Sequence, residues 1–246
     1  MEKIMEKDLL IRDVETKNIM TKSSLPVGGY SVNPYVGCTH GCKYCYASFM
    51  KRFTGHTESW GTFLDIKHWP AIKNPRKYKG QRVVIGSVTD GYLPQEKEIR
   101  NTRRILEQLK NSGAEILICT KSDLVLRDID LLKEMGKVTV SWSINTLDEK
   151  FQADMDQAVS ISRRLEAMKQ VYEAGIRTVC FISPVFPGIT DFEKIFERVK
   201  DQCDLVWLEN LNLRGGFKQE ILDYIQKCYS HLVTLYDEIY RKGDRS

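Results

Sequence analysis

Gly37-Cys-Thr-His-Gly-Cys-Lys-Tyr-Cys-Tyr46 places Cys38, Cys42 and Cys45 at the spacing C-x3-C-x2-C inside one short, glycine-bearing loop. Thiolates are soft ligands that favour iron–sulfur clusters, zinc or copper(I), and three so close together can converge on one metal centre. The number matters, because structural zinc sites and electron-transfer clusters take four protein ligands. A cubane cluster held by three cysteines keeps one iron open to a substrate or cofactor. Zinc is the competing reading, completed by His40 or a distant side chain, although His40 lies within the first cysteine gap and strains a tetrahedral site. Three unrelated buried thiols are the bland alternative. A disulfide is disfavoured, because Met1 to Asp8 has no signal-peptide apolar region and close cysteine pairs in cytosolic chains point to metal or redox chemistry.

The other four cysteines, Cys119, Cys180, Cys203 and Cys228, are far apart in sequence. Cys119 and Cys180 sit in apolar, strand-like runs and read as buried structural thiols; an auxiliary cluster would have to assemble them through tertiary folding. The chain has 246 residues and a net charge of +4, enough for one large domain and too mildly basic to indicate a nucleic-acid groove by itself. No apolar run reaches membrane-spanning length. The expectation is a cytoplasmic protein that does not engage the membrane.

Outward from the cysteine loop, residues 1–23 read as a loosely attached arm with one short helix, and 24–246 as the domain proper. Gly28 to Val36 reads as a first strand feeding the loop, and Ala47 to Arg52 as a short helix leaving it. Thr54 to Gly80 reads as irregular, with one helix at most. Strands then alternate with helices. The strands are 82–88, 115–120, 137–144, 176–182 and 204–209; the helices are 96–110, 128–135, 163–173 and one starting at Asp191. A long amphipathic helix over 217–241 closes the chain. Near-continuous apolar strands separated by helices argue for a parallel α/β sheet covered by helices, with its working face at the C-terminal edge of the strands. Polar residues follow each strand in turn: the cysteine loop, Thr89-Asp90, Lys121-Ser-Asp123, Ser143 with Asn145, Ser183 to Asp191, and Glu209-Asn-Leu-Asn212.

Together with Asn33-Pro-Tyr-Val36 before the cysteines, these pieces resemble the radical S-adenosylmethionine (SAM) superfamily, and within it the spore-photolyase-like group. The supporting motifs are Ser87-Val-Thr-Asp90, Thr120-Lys-Ser122, Arg127 to Leu132, Ser141-Trp-Ser143, Arg164-Leu165, Glu173-Ala-Gly175 and Pro184 to Asp191. The resemblance implies a partial (β/α)6 TIM-like barrel and a [4Fe–4S] cluster on Cys38, Cys42 and Cys45. It also implies reductive cleavage of SAM to a 5′-deoxyadenosyl radical that takes hydrogen from a substrate. Thr89 and Asp90 are then expected near the SAM ammonium, Lys121 at its carboxylate and Ser143 on the ribose or carboxylate side. Tyr46 would contact adenine through its backbone and Tyr44 would shield the cluster. An external electron donor of flavodoxin or ferredoxin type is implied as a partner.

Taken one at a time these residues have plainer readings: Thr89 and Asp90 as turn or cap residues, Lys121 as a solvated lysine, Tyr44 as packing. A nucleic-acid or nucleotide substrate follows from the subgroup alone, with Tyr30, Tyr35, Trp60, Phe63, Trp69 and Tyr92 as available aromatic rings. A peptide-modifying radical SAM maturase and a non-catalytic iron–sulfur or zinc protein are the alternatives. One departure stands out: the resemblance places a hydrogen-returning cysteine of spore photolyase where this chain has Ser87. The chain is therefore expected not to be a true spore photolyase.

Overall fold

The computed structural model describes residues 9–23 and 28–240. Its strands, in chain order, are β1 (Leu10–Glu15), β2 (Thr21–Lys22), β3 (Tyr30–Val32), β4 (Tyr35–Val36), β5 (Phe63–His68), β6 (Arg82–Ile85), β7 (Glu115–Thr120), β8 (Val138–Ser143), β9 (Arg177–Val185) and β10 (Leu205–Asn210). The helices are α1 (Glu96–Ile99), α2 (Asn101–Leu109), α3 (Ile129–Met135), α4 (Glu149–Met155), α5 (Ile161–Glu173), α6 (Phe192–Val199), α7 (Lys218–Cys228) and α8 (Val233–Tyr240). The main sheet runs β10-β9-β8-β7-β6-β3-β2. Six of its strands, β3 and β6 to β10, lie parallel in chain order, and β2 pairs antiparallel on the β3 edge. This is the expected partial barrel of six parallel strands.

Alternation along each strand divides the sheet into two faces. Val83, Ile85, Ile116, Ile118, Val140 and Trp142 join the main apolar core. Their sequence neighbours Val84, Leu117, Cys119, Thr139 and Ser141 stay outside that cluster and line the opposite, concave face. N-caps start the crossover helices: Asp148 accepts from Lys150 N and Phe151 N, Ser160 from Arg163 N, and Asp191 from Lys194 N.

Five expectations change. The strand expected over 28–36 is two strands, because Pro34 has no N–H for the ladder and the chain there leaves the main sheet. β4 instead pairs antiparallel with β5 in a second sheet ordered β1-β5-β4. The arm contributes a strand, not a helix: β1 runs parallel to β5 from Leu10↔Phe63 to Glu15↔His68, and Ile19 and Met20 are buried. Residues 1–8 of that arm lie outside the described residues. The segment read as irregular holds β5, whose Phe63, Leu64 and Asp65 are buried in succession and so lack the alternating signature of a strand. The helix expected over 96–110 breaks at Arg100, which adopts a left-handed φ of 61°. The Glu96 carboxylate then accepts from Thr102 N at 3.1 Å and Arg103 N at 3.4 Å, the free donors of α2. The closing helix breaks at Tyr229 into α7 and α8, and residue 241 lies outside the described residues. α4 is an addition that the sequence reading did not contain.

Close backbone approaches demand glycine at Gly37 and Gly86, both beside the site. A Cβ on Gly37 would lie 2.3 Å from Phe63 O, and one on Gly86 2.4 Å from Cys119 O; both residues also have positive φ. They let the cysteine loop and the end of β6 press against neighbouring backbone.

Glu96 also receives the Tyr35 hydroxyl and Arg127 Nη2 (2.8 Å), and it is completely buried. Removing one partner of a buried ion pair leaves the other charge uncompensated. Glu96→Ala is expected to cost about 3–5 kcal/mol in urea-induced unfolding. Glu98→Ala, an exposed change on the same short helix, should stay within about 0.5 kcal/mol.

Candidate functional site

The cysteine loop follows β4 and sits over the C-terminal edge of the parallel strands, held by backbone turns Gly41 N→Cys38 O (3.1 Å) and Cys45 N→Cys42 O (3.1 Å). Cys38 is buried, Cys42 and Cys45 half-buried. Burial pushes all three thiols up, Cys38 to about 12, and the cysteines raise one another further. Among the described residues no three His, Cys, Asp or Glu side chains converge on an ion-sized point. The loop brings the sulfurs into mutual electrostatic range.

The donor set suits a soft cationic cluster. Three sulfurs in a desolvated loop are poor places for bare thiolates, and a metal centre supplies the missing positive charge. Trp60 Nε1 is buried with no hydrogen-bond partner, and Trp60 is among the groups that lower the Cys45 thiol against the larger upward push of burial. Its N–H is thus directed toward sulfur.

Lys121, two residues beyond Cys119, turns its ammonium toward the same loop. Nζ lies 5.7 Å from the Tyr44 ring centre and lowers the Cys42 and Cys45 thiols against burial. It forms no ion pair among the described residues. Asp90 lies behind it. Its carboxylate accepts from His40 Nε2 (3.0 Å), Tyr92 N (2.8 Å), Thr120 Oγ1 (2.9 Å) and Lys121 N (2.7 Å). Burial pushes the Asp90 carboxyl up, but His40 and the backbone donors outweigh it and hold the group below the usual carboxylate range.

Thr89 donates to Gly37 O at 2.6 Å, and the Tyr46 hydroxyl donates to Ser87 O. Ser143 ends β8, and its carbonyl accepts from Arg164 Nη1 at 3.2 Å. Tyr44 is buried, donates to Asp156 Oδ2 at 3.0 Å and packs edge-on to Phe186. Thr89 therefore meets the cysteine loop at Gly37 and Asp90 at His40, while Ser143 connects to it only through Arg164 and Asp156. Cys119 opens onto the concave face, half-buried, and is not one of the core thiols it was read as; Cys180 and Cys203 do pack in that core, and Cys228 is exposed. Of the six candidate stacking aromatics, Tyr35, Phe63, Trp69 and Tyr92 are core residues, and Tyr30 packs on Tyr78 and Trp60 on Phe63.

Several supporting residues carry no local sequence signal. Arg164 is fully buried and donates to Asp156 (2.5 Å), Val159 O (2.8 Å) and Ser143 O. Asp156 gathers Tyr44, Gln152, Ala158 N and Arg164. Asn33 donates to Ser87 Oγ at 2.9 Å and accepts from Val88 N at 3.1 Å, tying β3 to the loop after β6. Asn33-Pro34 and Arg164-Leu165 belong to the family motifs, but neither pair indicates its partner in the fold.

The radical SAM superfamily model matches residues 32–199, which includes the cysteine loop and four of the six parallel strands, β6 to β9, in full. The chain is a member of the radical SAM superfamily. It is 34% identical over 227 residues to an uncharacterised protein of Methanocaldococcus jannaschii, covering 92% of this chain and 86% of that one. A radical SAM Nalpha-GlyT isomerase of Pseudomonas phage M6 is 26% identical over 71% of this chain and 36% of its own length. Among solved structures, a spore photoproduct lyase mutant with bound AdoMet and dinucleoside spore photoproduct superposes with a TM-score of 0.66 at 16% identity, over 88% of this chain and 66% of that chain. The chain thus spans just under two thirds of that lyase, and at this identity the likeness is one of fold. Superfamily membership carries reductive cleavage of SAM at a [4Fe–4S] cluster, and the chain is an enzyme of this type. Among the described residues no helix is long and apolar enough to cross a membrane.

Cluster ligation is testable cysteine by cysteine. After anaerobic reconstitution with iron and sulfide, Cys38→Ala, Cys42→Ala and Cys45→Ala should each lose the brown chromophore or keep a degraded remnant. The other four cysteines should be individually dispensable. Loss of about half the iron in any of those four would reveal a second site.

Proposed function

We propose that Cys38, Cys42 and Cys45 hold the cluster, that Lys121 binds the SAM carboxylate, and that the substrate is a nucleotide or nucleic acid from which hydrogen is abstracted. When bound, the cluster and SAM together supply a 5′-deoxyadenosyl radical. The observation that carries the reading is the Lys121 ammonium, without an ion pair among the described residues and facing both the thiols and Tyr44. A charge-assisted bond from such a lysine to a carboxylate is strong and oriented. Ser143, beside the lysine's strand, and Tyr46, over Ser87, are read as the ribose and adenine sides. Thr89 holds Gly37 and so sets the loop height.

Asp90 is read here as a positioning residue. Its oxygens already receive four donors, so it acts on SAM through the lysine backbone and His40.

A planar substrate is supported by Phe181 and Trp207, which meet edge-on at 6.3 Å and pair in register with each other, Phe181 also with Ser143. Beside them the Ser183 hydroxyl donates to Glu209 at 2.9 Å, leaving the carboxylate further acceptor capacity for a ring N–H. The dinucleoside bound by the structurally similar lyase is consistent with the same class.

Dithionite-reduced, reconstituted protein should convert SAM to 5′-deoxyadenosine. Lys121→Ala should keep its iron but bind SAM about ten- to a hundredfold more weakly, the loss of roughly 1.5–3 kcal/mol expected for a charged hydrogen bond. Unchanged SAM affinity would remove Lys121 from the site.

Repair of the spore photoproduct itself is not expected. Ser87 stands at the position read as the hydrogen-returning cysteine, and its hydroxyl is held by Asn33. An O–H bond is too strong to give hydrogen readily to a carbon radical. Incubated with the dinucleotide photoproduct and SAM, the enzyme should cleave SAM without clean formation of thymidylyl-thymidine. Efficient conversion would overturn this.

A further inference from the structure

The helix that leaves the cysteine loop, Tyr46–Phe53, is a 3-10 helix with Cys45 as its N-cap. In a 3-10 helix, side chains at i and i+3 eclipse, so Tyr46, Phe49 and Arg52 form one ridge. Phe49 and Phe53 are large apolar side chains that remain 45% and 66% exposed. The Arg52 guanidinium lies over both rings, 5.4 Å from the Phe49 centre and 4.6 Å from that of Phe53. Beside them a surface groove of about 520 Å³ is lined by Ser48, Phe49, Lys51, Arg52, Gly55 and His56.

The helix and the groove beside it carry Lys51 and Arg52 and no carboxylate. From Thr16 to Thr57 the chain has no aspartate or glutamate, while Lys17, Lys22, Lys43, Lys51 and Arg52 fall within it. The acid that ends the stretch, Glu58, is paired to His56 at 3.0 Å. Arginine and aromatic rings are the side chains that anchor protein interfaces, and one-sided charge steers a weak, fast-exchanging partner.

We propose that Phe49, Arg52 and Phe53 form the docking surface for an acidic protein that carries a single electron on a flavin or an iron–sulfur cluster. The proposal rests on the radical SAM reading, whose reaction consumes one electron for each SAM cleaved reductively. In the docked complex the carrier is oxidised by one electron and the cluster on the three cysteines is reduced by one; no bond to the carrier forms and no group is transferred. Electron transfer weakens steeply with distance, so the carrier must sit over the cysteine loop. Cys45 is half-buried and directly continuous with the helix, which makes this ridge the short route. Stacked nucleobases would use the same rings, and that outcome is separated by the oligonucleotide measurement below.

The test uses the reconstituted holoenzyme with reduced flavodoxin, and separately reduced ferredoxin, as probes. Stopped-flow bleaching of the cluster absorbance is compared with bleaching by dithionite. Arg52→Glu and, independently, Phe53→Ala should slow bleaching by at least one of the carriers about tenfold at low salt. Their dithionite bleaching, iron content and far-UV circular dichroism should match the parent protein. The parent's carrier-driven rate should fall as salt rises, because screening shortens the reach of the charges.

Parent-like carrier rates in both variants would overturn the proposal. So would failure of both carriers to reduce the parent, or variants that lose affinity only for a fluorescent single-stranded oligonucleotide. Dithionite-driven formation of 5′-deoxyadenosine is scored on the same samples. If it is absent, the radical SAM reading fails; if it is present while the variants behave as the parent, only the docking surface fails.

Discussion

The site depends on one buried carboxylate. Asp90 follows β6, yet its oxygens collect His40 from the cysteine loop, Tyr92 from its own turn, and Thr120 with Lys121 N from the end of β7. A carboxylate in a dry environment is costly unless its lone pairs are used, and here they are used by three separate stretches of chain. The stretch that holds the sulfurs and the one that carries the lysine are therefore locked to each other before any cofactor arrives. Asp90 thus holds the cysteine loop and the end of β7 in register.

Asp156 does the same at the other end of the loop. It receives Tyr44 from between the second and third cysteines and Arg164 from α5, and Arg164 reaches on to the carbonyl of Ser143. Burial pushes the Asp156 carboxyl up, and Arg164 and Lys121 draw it below its ordinary range. The loop is thus gripped at His40 by one carboxylate and at Tyr44 by another. Groups behind the ligands orient the ligands, and a site whose supports are fixed by packing loses less to misplacement. The aromatic residue before the last cysteine then has two uses at once: its ring faces Lys121 and its hydroxyl anchors the loop.

What could be read from the sequence follows from how local each signal is. The cysteine spacing and the six apolar strands are written within a few residues, and all six strands and the crowding of polar residues at their C-terminal ends are present in the fold. β5 was hidden because three successive buried residues abolish the alternation that marks a strand, and Asp65 is buried only because His56, stacked on Phe63, meets it at 2.9 Å. β1 is an edge strand, mostly exposed and polar, and is defined by its partner more than by its composition. The break at Asn33-Pro34 was present in the sequence as a proline, but where the chain went afterwards depended on β5. Glu96, Asp156 and Arg164 pair with residues far away in sequence or across several turns, and no periodicity announces such partners. Asp90 and Lys121 are legible from their position after strands and from the family resemblance; the four donors that occupy Asp90 come from stretches too far apart for any local signal.

The register of β7 shows why core and site are specified by the same residues. Ile116 and Ile118 enter the helix-covered core, while Leu117 and Cys119 face the concave side, with Lys121 next in the same alternation. Thr120, between Cys119 and Lys121, is buried and gives its hydroxyl to Asp90. A slip of one residue would exchange the two sets, since side chains alternate with a period of two. It would drive the Lys121 ammonium toward the apolar core beneath α2 and α3 and would remove both Asp90 donors together. Either consequence alone is expensive, so the hydrophobic pattern that builds the barrel also excludes every arrangement in which the lysine fails to face the sulfurs. The barrel and the placing of Lys121 are selected by one alternation.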